Sequence, residues 1–188
     1  MKIFGSSFLF LAVLISVSCK PAAAPVSVGD KPISVNGVSA KDAPRRPLKP
    51  LSEMSWTTQD GKVQKLKDFQ NKVVVLDFWA TYCPPCIEAI PHFLELQAKY
   101  PDDLVVIGLH VGGEEDRPKV PEFIEKLKIT YLVATPEDHL TQFVFGDESS
   151  IPQTAIFDRE GKFVKRIVGF NDTIQAELDQ TLAQTIAK

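Results

Sequence analysis

Apolar residues run almost unbroken from Val73 to Trp79, a length that suits a strand covered on both faces. A second such run, Leu104 to Leu109, predicts a second buried strand. Between them the spacing turns helical from Cys83 to Lys99, with Ile87, Ile90 and Leu94 on one stripe. Pro91 removes an interior hydrogen bond and predicts a kink, and Tyr100-Pro101 ends the helix. After a charged loop opened by Gly112-Gly113, Val120, Phe123, Ile124 and Leu127 mark another amphipathic helix. Tyr131 to Ala134 reads as a short strand, and Leu140, Phe143 and Val144 as a short helix closed by Gly146. Gln153 to Phe157 and Phe163 to Val168, joined through Asp158 to Gly161, predict an antiparallel hairpin. Ile174, Leu178, Leu182 and Ile186 then keep a four-residue beat behind a cap at Asn171 or Asp172. Ahead of all these, Ser55 to Thr58 and Lys62 to Gln64 flank the turn dipeptide Asp60-Gly61, and Leu66 to Phe69 makes one helical turn. Strands alternating with helices predict an α/β sandwich, one domain over residues 51–188.

The first fifty residues have a different character. Met1 to Ser18 carries Lys2 and then an apolar run, Phe8 to Val17, shorter than the roughly 20 residues a bilayer requires. It reads as an export signal, with a membrane span as the alternative if Phe4 extends the run. Ser16-Val17-Ser18-Cys19 resembles a bacterial lipoprotein box, which would lipidate Cys19 and tie the protein to a membrane. Ala22-x-Ala24 offers a competing cleavage site, but Pro25 directly follows it. Residues 19–50 hold six prolines between Pro21 and Pro50 among small and polar residues, the composition of a flexible tether. Ile33 to Val38 alternates weakly and reads as loop. A net charge of -3 gives no general attraction to nucleic acid.

Cys83-Pro84-Pro85-Cys86 carries the chemistry. Two cysteines three apart at a helix start lie on one face, close enough for their sulfurs to bond and separate without backbone movement. The prolines fit between them because first-turn N–H groups have no intrahelical partner. Cys-x-x-Cys is also half of a zinc site, but the other ligands would have to come from Cys19 and the scattered His92, His110 and His139. Haem attachment would need His where Ile87 stands. Helix-terminal N–H groups and the helix dipole favour ionisation of Cys83, whereas Cys86, a turn deeper, should act second. Neither proline can donate to the Cys83 sulfur, so the thiolate is weakly stabilised and the dithiol should be reducing.

Asp77-Phe78-Trp79-Ala80, Cys83 to Cys86, Pro91 and Ile151-Pro152 together resemble thioredoxin. The closer likeness is to exported thioredoxin-like disulfide reductases of the TlpA and ResA type, and it spans about Leu51 to Phe170, including Ile151-Pro152-Gln153-Thr154-Ala155-Ile156-Phe157-Asp158. The resemblance implies a thioredoxin-like fold, α/β with a central mixed β-sheet flanked by helices, here with an N-terminal β-hairpin extension. It implies that Asp77 is the buried acid that takes the Cys86 proton, and burial among Val75, Leu76 and Phe78 should raise its pKa. A salt-bridged Asp at a strand end is the bland alternative. ResA-type relatives often keep Asn here and a Glu where this chain has Ala89, and Glu88 beside it reads as surface.

Pro152 matches the cis-proline that faces the dithiol in this family, which would offer the Ile151 backbone to an extended substrate. Trp79 and Tyr82 are expected at an apolar rim that, with Pro84, Pro85, Ile151 and Pro152, contacts substrate. His92 and His139 are expected on helix surfaces, and His110 in a hydrogen bond to its adjoining loop.

The implied activity is reduction of protein disulfides on the periplasmic side of a bacterial membrane, with apocytochrome c cysteines as one family precedent. The redox-active Cys83–Cys86 disulfide would serve without cofactor or metal. Partners would be disulfide-bearing exported proteins and an upstream thiol reductant, with the enzyme a monomer. A thiol peroxidase of the same superfamily is the enzymatic alternative, although Ala80 stands where such relatives carry Thr or Ser. A Sco-like copper carrier is the non-enzymatic one, although its cysteines stand further apart.

Overall fold

Strand β3 (Val73–Trp79) is buried at every residue, and the rest of the molecule is layered against its two faces. The computed structural model describes residues 45–188, so the expected export signal, Cys19, the Ile33 to Val38 stretch and the expected tether up to Pro44 lie outside the described residues. The remaining elements are β1 (Ser55–Thr58), β2 (Val63–Lys65), α1 (Pro84–Lys99), β4 (Leu104–His110), α2 (Val120–Leu127), β5 (Leu132–Pro136), α3 (Asp138–Phe145), β6 (Gln153–Phe157), β7 (Phe163–Val168) and α4 (Asp172–Ile186). They build a mixed seven-stranded sheet in the order β2-β1-β5-β4-β3-β6-β7. β3 pairs parallel with β4 and antiparallel with β6, and β4 pairs parallel with β5. The hairpin β1–β2, turned at Gly61 with φ +80, adds to the sheet through the antiparallel pair β1·β5.

Alternation of side chains along β3 separates two cores. Val73, Val75 and Trp79 point to the face covered by α1, α2 and α4, where Cys86, Ala89, Ile90, Phe93, Val120, Leu178 and Leu182 are buried. Val74, Leu76 and Phe78 point to the other, against Leu140, Phe143 and Val144 of α3 and against Met54, Trp56 and Leu66. Asp77 therefore shares the face of Val75 and Trp79, the face on which α1 lies.

Three elements differ from the sequence expectation. β5 starts at Leu132 and continues through Pro136, because β1 pairs with its second half, Thr57 opposite Thr135 and Trp56 opposite Pro136. A cross-strand partner makes strand of residues whose composition reads as loop. His92 is buried, not on a surface: α4 covers it, Asp179 meets its Nε2 at 2.8 Å, and Phe170 packs on its ring. Arg45 to Pro50, at the end of the expected tether, lies on the domain, with Lys49 Nζ 2.6 Å from Glu137 and Arg45 paired to Asp147.

Candidate active site

The strand-turn-helix joint between β3 and α1 places the two cysteines. Cys83 is the N-cap of α1 in extended conformation, its side chain taking the capping role that an oxygen usually fills. Cys83 and Cys86 are joined by a disulfide, with Cα atoms 5.3 Å apart. Pro84 and Pro85 occupy the first turn, so the Cys86 N–H, 3.3 Å from the Cys83 sulfur, is the donor this turn supplies. Cys86 is fully buried and Cys83 only 6 % exposed, so reagents reach the pair at Cys83. That opening is narrow because Ile151 closes one side, its carbonyl oxygen 3.7 Å from the Cys83 sulfur. Tyr82, 63 % exposed, and exposed Pro84 flank the other side.

The peptide bond between Ile151 and Pro152 is cis. The loop that carries it is held from below: buried Gln153 donates through Nε2 to the carbonyls of Glu148 (2.9 Å) and Ser150 (3.0 Å). Arg166 of β7 donates to the carbonyls of Val144 and Phe145 at the end of α3, where that loop begins. A backbone carbonyl beside a reactive sulfur can pair with an extended peptide chain, as an edge strand would.

On the opposite side, Asp116 holds the turn before Cys83. Its carboxylate accepts the Thr81 N–H at 2.9 Å, the Thr81 hydroxyl, His110 Nε2 at 3.0 Å and Lys119 Nζ at 3.3 Å. Burial alone would raise the Asp116 pKa, but these bonds outweigh it and hold the carboxyl well below the usual range. The His110 ring stands edge-on to Trp79. Gly112 is obligatory here, since a Cβ would come within 2.7 Å of His110 Nε2.

Trp79 corrects an expectation. It is fully buried, stacked on Phe123 of α2, and makes no part of a substrate rim. The last residue of β3 keeps the strand's alternation and so faces α2 rather than solvent. Of the two aromatics, only Tyr82 stands at the rim. Glu88 and His139 are exposed, and His110 bonds to the adjoining loop through Asp116.

Asp77 is fully buried and neither of its carboxylate oxygens has a hydrogen-bond partner. Burial raises its pKa from 3.8 to about 8. On its face of β3 it is flanked by Val75 and Trp79, and both share a core cluster with Cys86. A carboxyl group of that proton affinity, on the sheet face where Cys86 packs, can accept and return a proton near neutral pH. Among the described residues, no group of three or more His, Cys, Asp or Glu side chains comes together as metal ligands would. Thr81, Asp116 and Tyr131 carried no motif, and Gln153 stood in the Ile151 to Asp158 run without a role of its own; for Tyr131 the one signal was Gly108, a glycine inside a strand, which marks a close approach.

The Redoxin family model matches residues 37–182. The thiol-disulfide oxidoreductase ResA of Bacillus anthracis is 31% identical over 121 residues, 64% of this chain and 69% of the relative. A thioredoxin family thiol:disulfide interchange protein from Chlorobium tepidum superposes with a TM-score of 0.61 at 24% identity, over 79% of this chain and 99% of that one. The exposed lipoprotein thioredoxin of Streptococcus pneumoniae superposes with a TM-score of 0.55 at 27% identity, over 69% of this chain and 97% of that one.

Proposed function

Because the chain belongs to the Redoxin family, as a thioredoxin-superfamily thiol-disulfide oxidoreductase of the ResA and TlpA type, we propose that it reduces disulfides of exported proteins through an ordered Cys83/Cys86 cycle. The Cys83 thiolate attacks one sulfur of a substrate disulfide, forming a mixed disulfide and releasing the other sulfur as a thiolate. Asp77 takes the Cys86 proton, and the Cys86 thiolate attacks the Cys83 sulfur. The second substrate sulfur leaves, two electrons have passed to the substrate, and Cys83 and Cys86 are again bonded. An upstream thiol reductant restores the dithiol by the reverse exchange. No cofactor or metal takes part.

The observation that carries this reading is the order of access: a barely open Cys83 beside the Ile151 carbonyl, a closed Cys86, and an unpartnered Asp77 on the face where Cys86 packs. Tyr82, Pro84, Pro85, Ile151 and Pro152 form the substrate's contact surface. The enzyme acts as a monomer outside the cytoplasm, held at a membrane by lipid on Cys19. The apolar run before Cys19 supports that location, as does the likeness to an exposed lipoprotein. No helix among the described residues is long and apolar enough to cross a membrane.

An insulin-disulfide reduction assay, run beside peroxide consumption and Cu(I) titration, tests the proposal. The wild type accelerates insulin reduction and Cys83→Ser abolishes the effect. Peroxide turnover faster than insulin reduction, or tight Cu(I) binding without reductase activity, contradicts it.

A further inference from the structure

Four buried polar atoms of the α1-side core have no hydrogen-bond partner, both carboxylate oxygens of Asp77, Trp79 Nε1 and the Tyr131 hydroxyl, and the three residues that carry them border one glycine. Gly108 of β4 is paired with Asp77 of β3. A Cβ on Gly108 would lie 2.9 Å from the Tyr131 ring and 3.1 Å from Trp79 Nε1, so both aromatics reach over the space that glycine leaves. Tyr131 is also close enough for the Asp77 charge to act on it: burial first, and that charge second, push its hydroxyl well above the ordinary range. The hydroxyl therefore keeps its proton at every working pH and is available as a donor.

Buried polar groups are almost always satisfied, and an interior water typically does so with about three bonds. We propose that Asp77, Tyr131 and Trp79 enclose one ordered water over Gly108, and that Tyr131 is a positioning residue that sets the proton affinity of Asp77 through it. The water accepts the Trp79 N–H and the Tyr131 O–H, which turns its own hydrogens toward the carboxylate. Donation to the charged form favours ionisation and works against the burial that raises the Asp77 pKa. Without that water Asp77 would be ionised less often at neutral pH, and would take the Cys86 proton more slowly. Tyr131 thus acts on the reaction without touching substrate or sulfur.

Asp60 and Lys62 of the β1–β2 hairpin, paired with each other, line a cavity with Tyr131. Cys86 comes from α1, and His110 lies two residues beyond Gly108 on β4, committed to Asp116. β6 contributes Thr154 opposite Asp77, and α2 contributes the uncharged Phe123 and Ile124.

The inference rests on Asp77 being the base, so the test separates the two claims. Reduced enzyme is mixed with an aromatic disulfide reagent, and release of the second chromophoric thiol, which reports Cys86 attacking the mixed disulfide, is followed against pH. Tyr131→Phe keeps the ring and removes the donor. Its midpoint is expected to move alkaline by about half a unit to one unit, and its rate at pH 7 to fall several-fold, since one unit changes the ionised fraction about tenfold. Trp79→Phe is expected to move the midpoint the same way, and the two changes together to shift it by less than their sum. A Tyr131→Phe profile that superimposes on the wild type overturns the inference. Asp77→Asn is expected to abolish the titration in this range, and a profile that survives it overturns the base assignment instead.

Discussion

Asp77 couples the chemistry to stability. Its folded pKa of about 8 lies above the ordinary aspartate value of 3.8, so the folded protein holds the proton more tightly than the unfolded chain. The associated stability is complete below about pH 4 and is lost as pH rises through about 8. Replacing Asp77 with Asn, which stays neutral, should stabilise the enzyme relative to wild type by up to roughly 5 kcal/mol above pH 8, and by little at pH 4. Urea unfolding of the oxidised protein at pH 4 and pH 9 measures the difference; equal gains at both would contradict it. At this scale the sequence made Cys83, Cys86 and Asp77 visible, because they lie on one continuous strand-turn-helix joint. Trp79 was misplaced because the resemblance names a residue type near the dithiol, whereas its side-chain direction follows from the register of β3. Asp116 was invisible because its partner Thr81 is 35 residues away.

The joint between β3 and α1 is the element on which the dithiol depends. Cys83 as N-cap can receive N–H groups from the second and third residues of the helix, and Pro85 removes the earlier of these. Pro85→Ala restores that donor. The Cys83 thiol pKa should fall by about one unit and the reduction potential rise by about 30 mV, making the enzyme a weaker reductant. Alkylation rates against pH and equilibration with glutathione measure the two quantities. An unchanged thiol pKa would show that first-turn donors do not set the thiolate's stability. The turn before Cys83 depends equally on Asp116. Asp116→Ala strands the Thr81 N–H, the Thr81 hydroxyl and His110, and should cost about 3 kcal/mol in urea unfolding. Elements with their own period, such as β3, α1 and the β6–β7 hairpin, were legible with nearly correct bounds. β5 was not, since its second half is strand only by pairing with β1.

In the whole molecule, the parallel strands β3, β4 and β5 bring the N-terminus of α1 and the loop before β6 to the same end of the sheet. That convergence sets the Ile151 carbonyl beside Cys83 across 68 residues of chain. The alternation of strands and helices predicted the class of fold, but not the strand order, which depends on which edges meet. The N-terminal residues add a prediction at this scale: cells fed a labelled fatty acid should incorporate it into the wild type, and Cys19→Ser should lose both label and membrane fraction. A labelled Cys19→Ser protein would refute lipidation at that cysteine.

The most direct test of the cycle is to trap its intermediate. Cys86→Ser, expressed in cells and resolved on non-reducing gels after acid quenching, should accumulate disulfide-linked partners through Cys83 that vanish on reduction. Cys83→Ser should accumulate none. Equal accumulation in both variants, or none in either, would contradict an ordered two-cysteine mechanism.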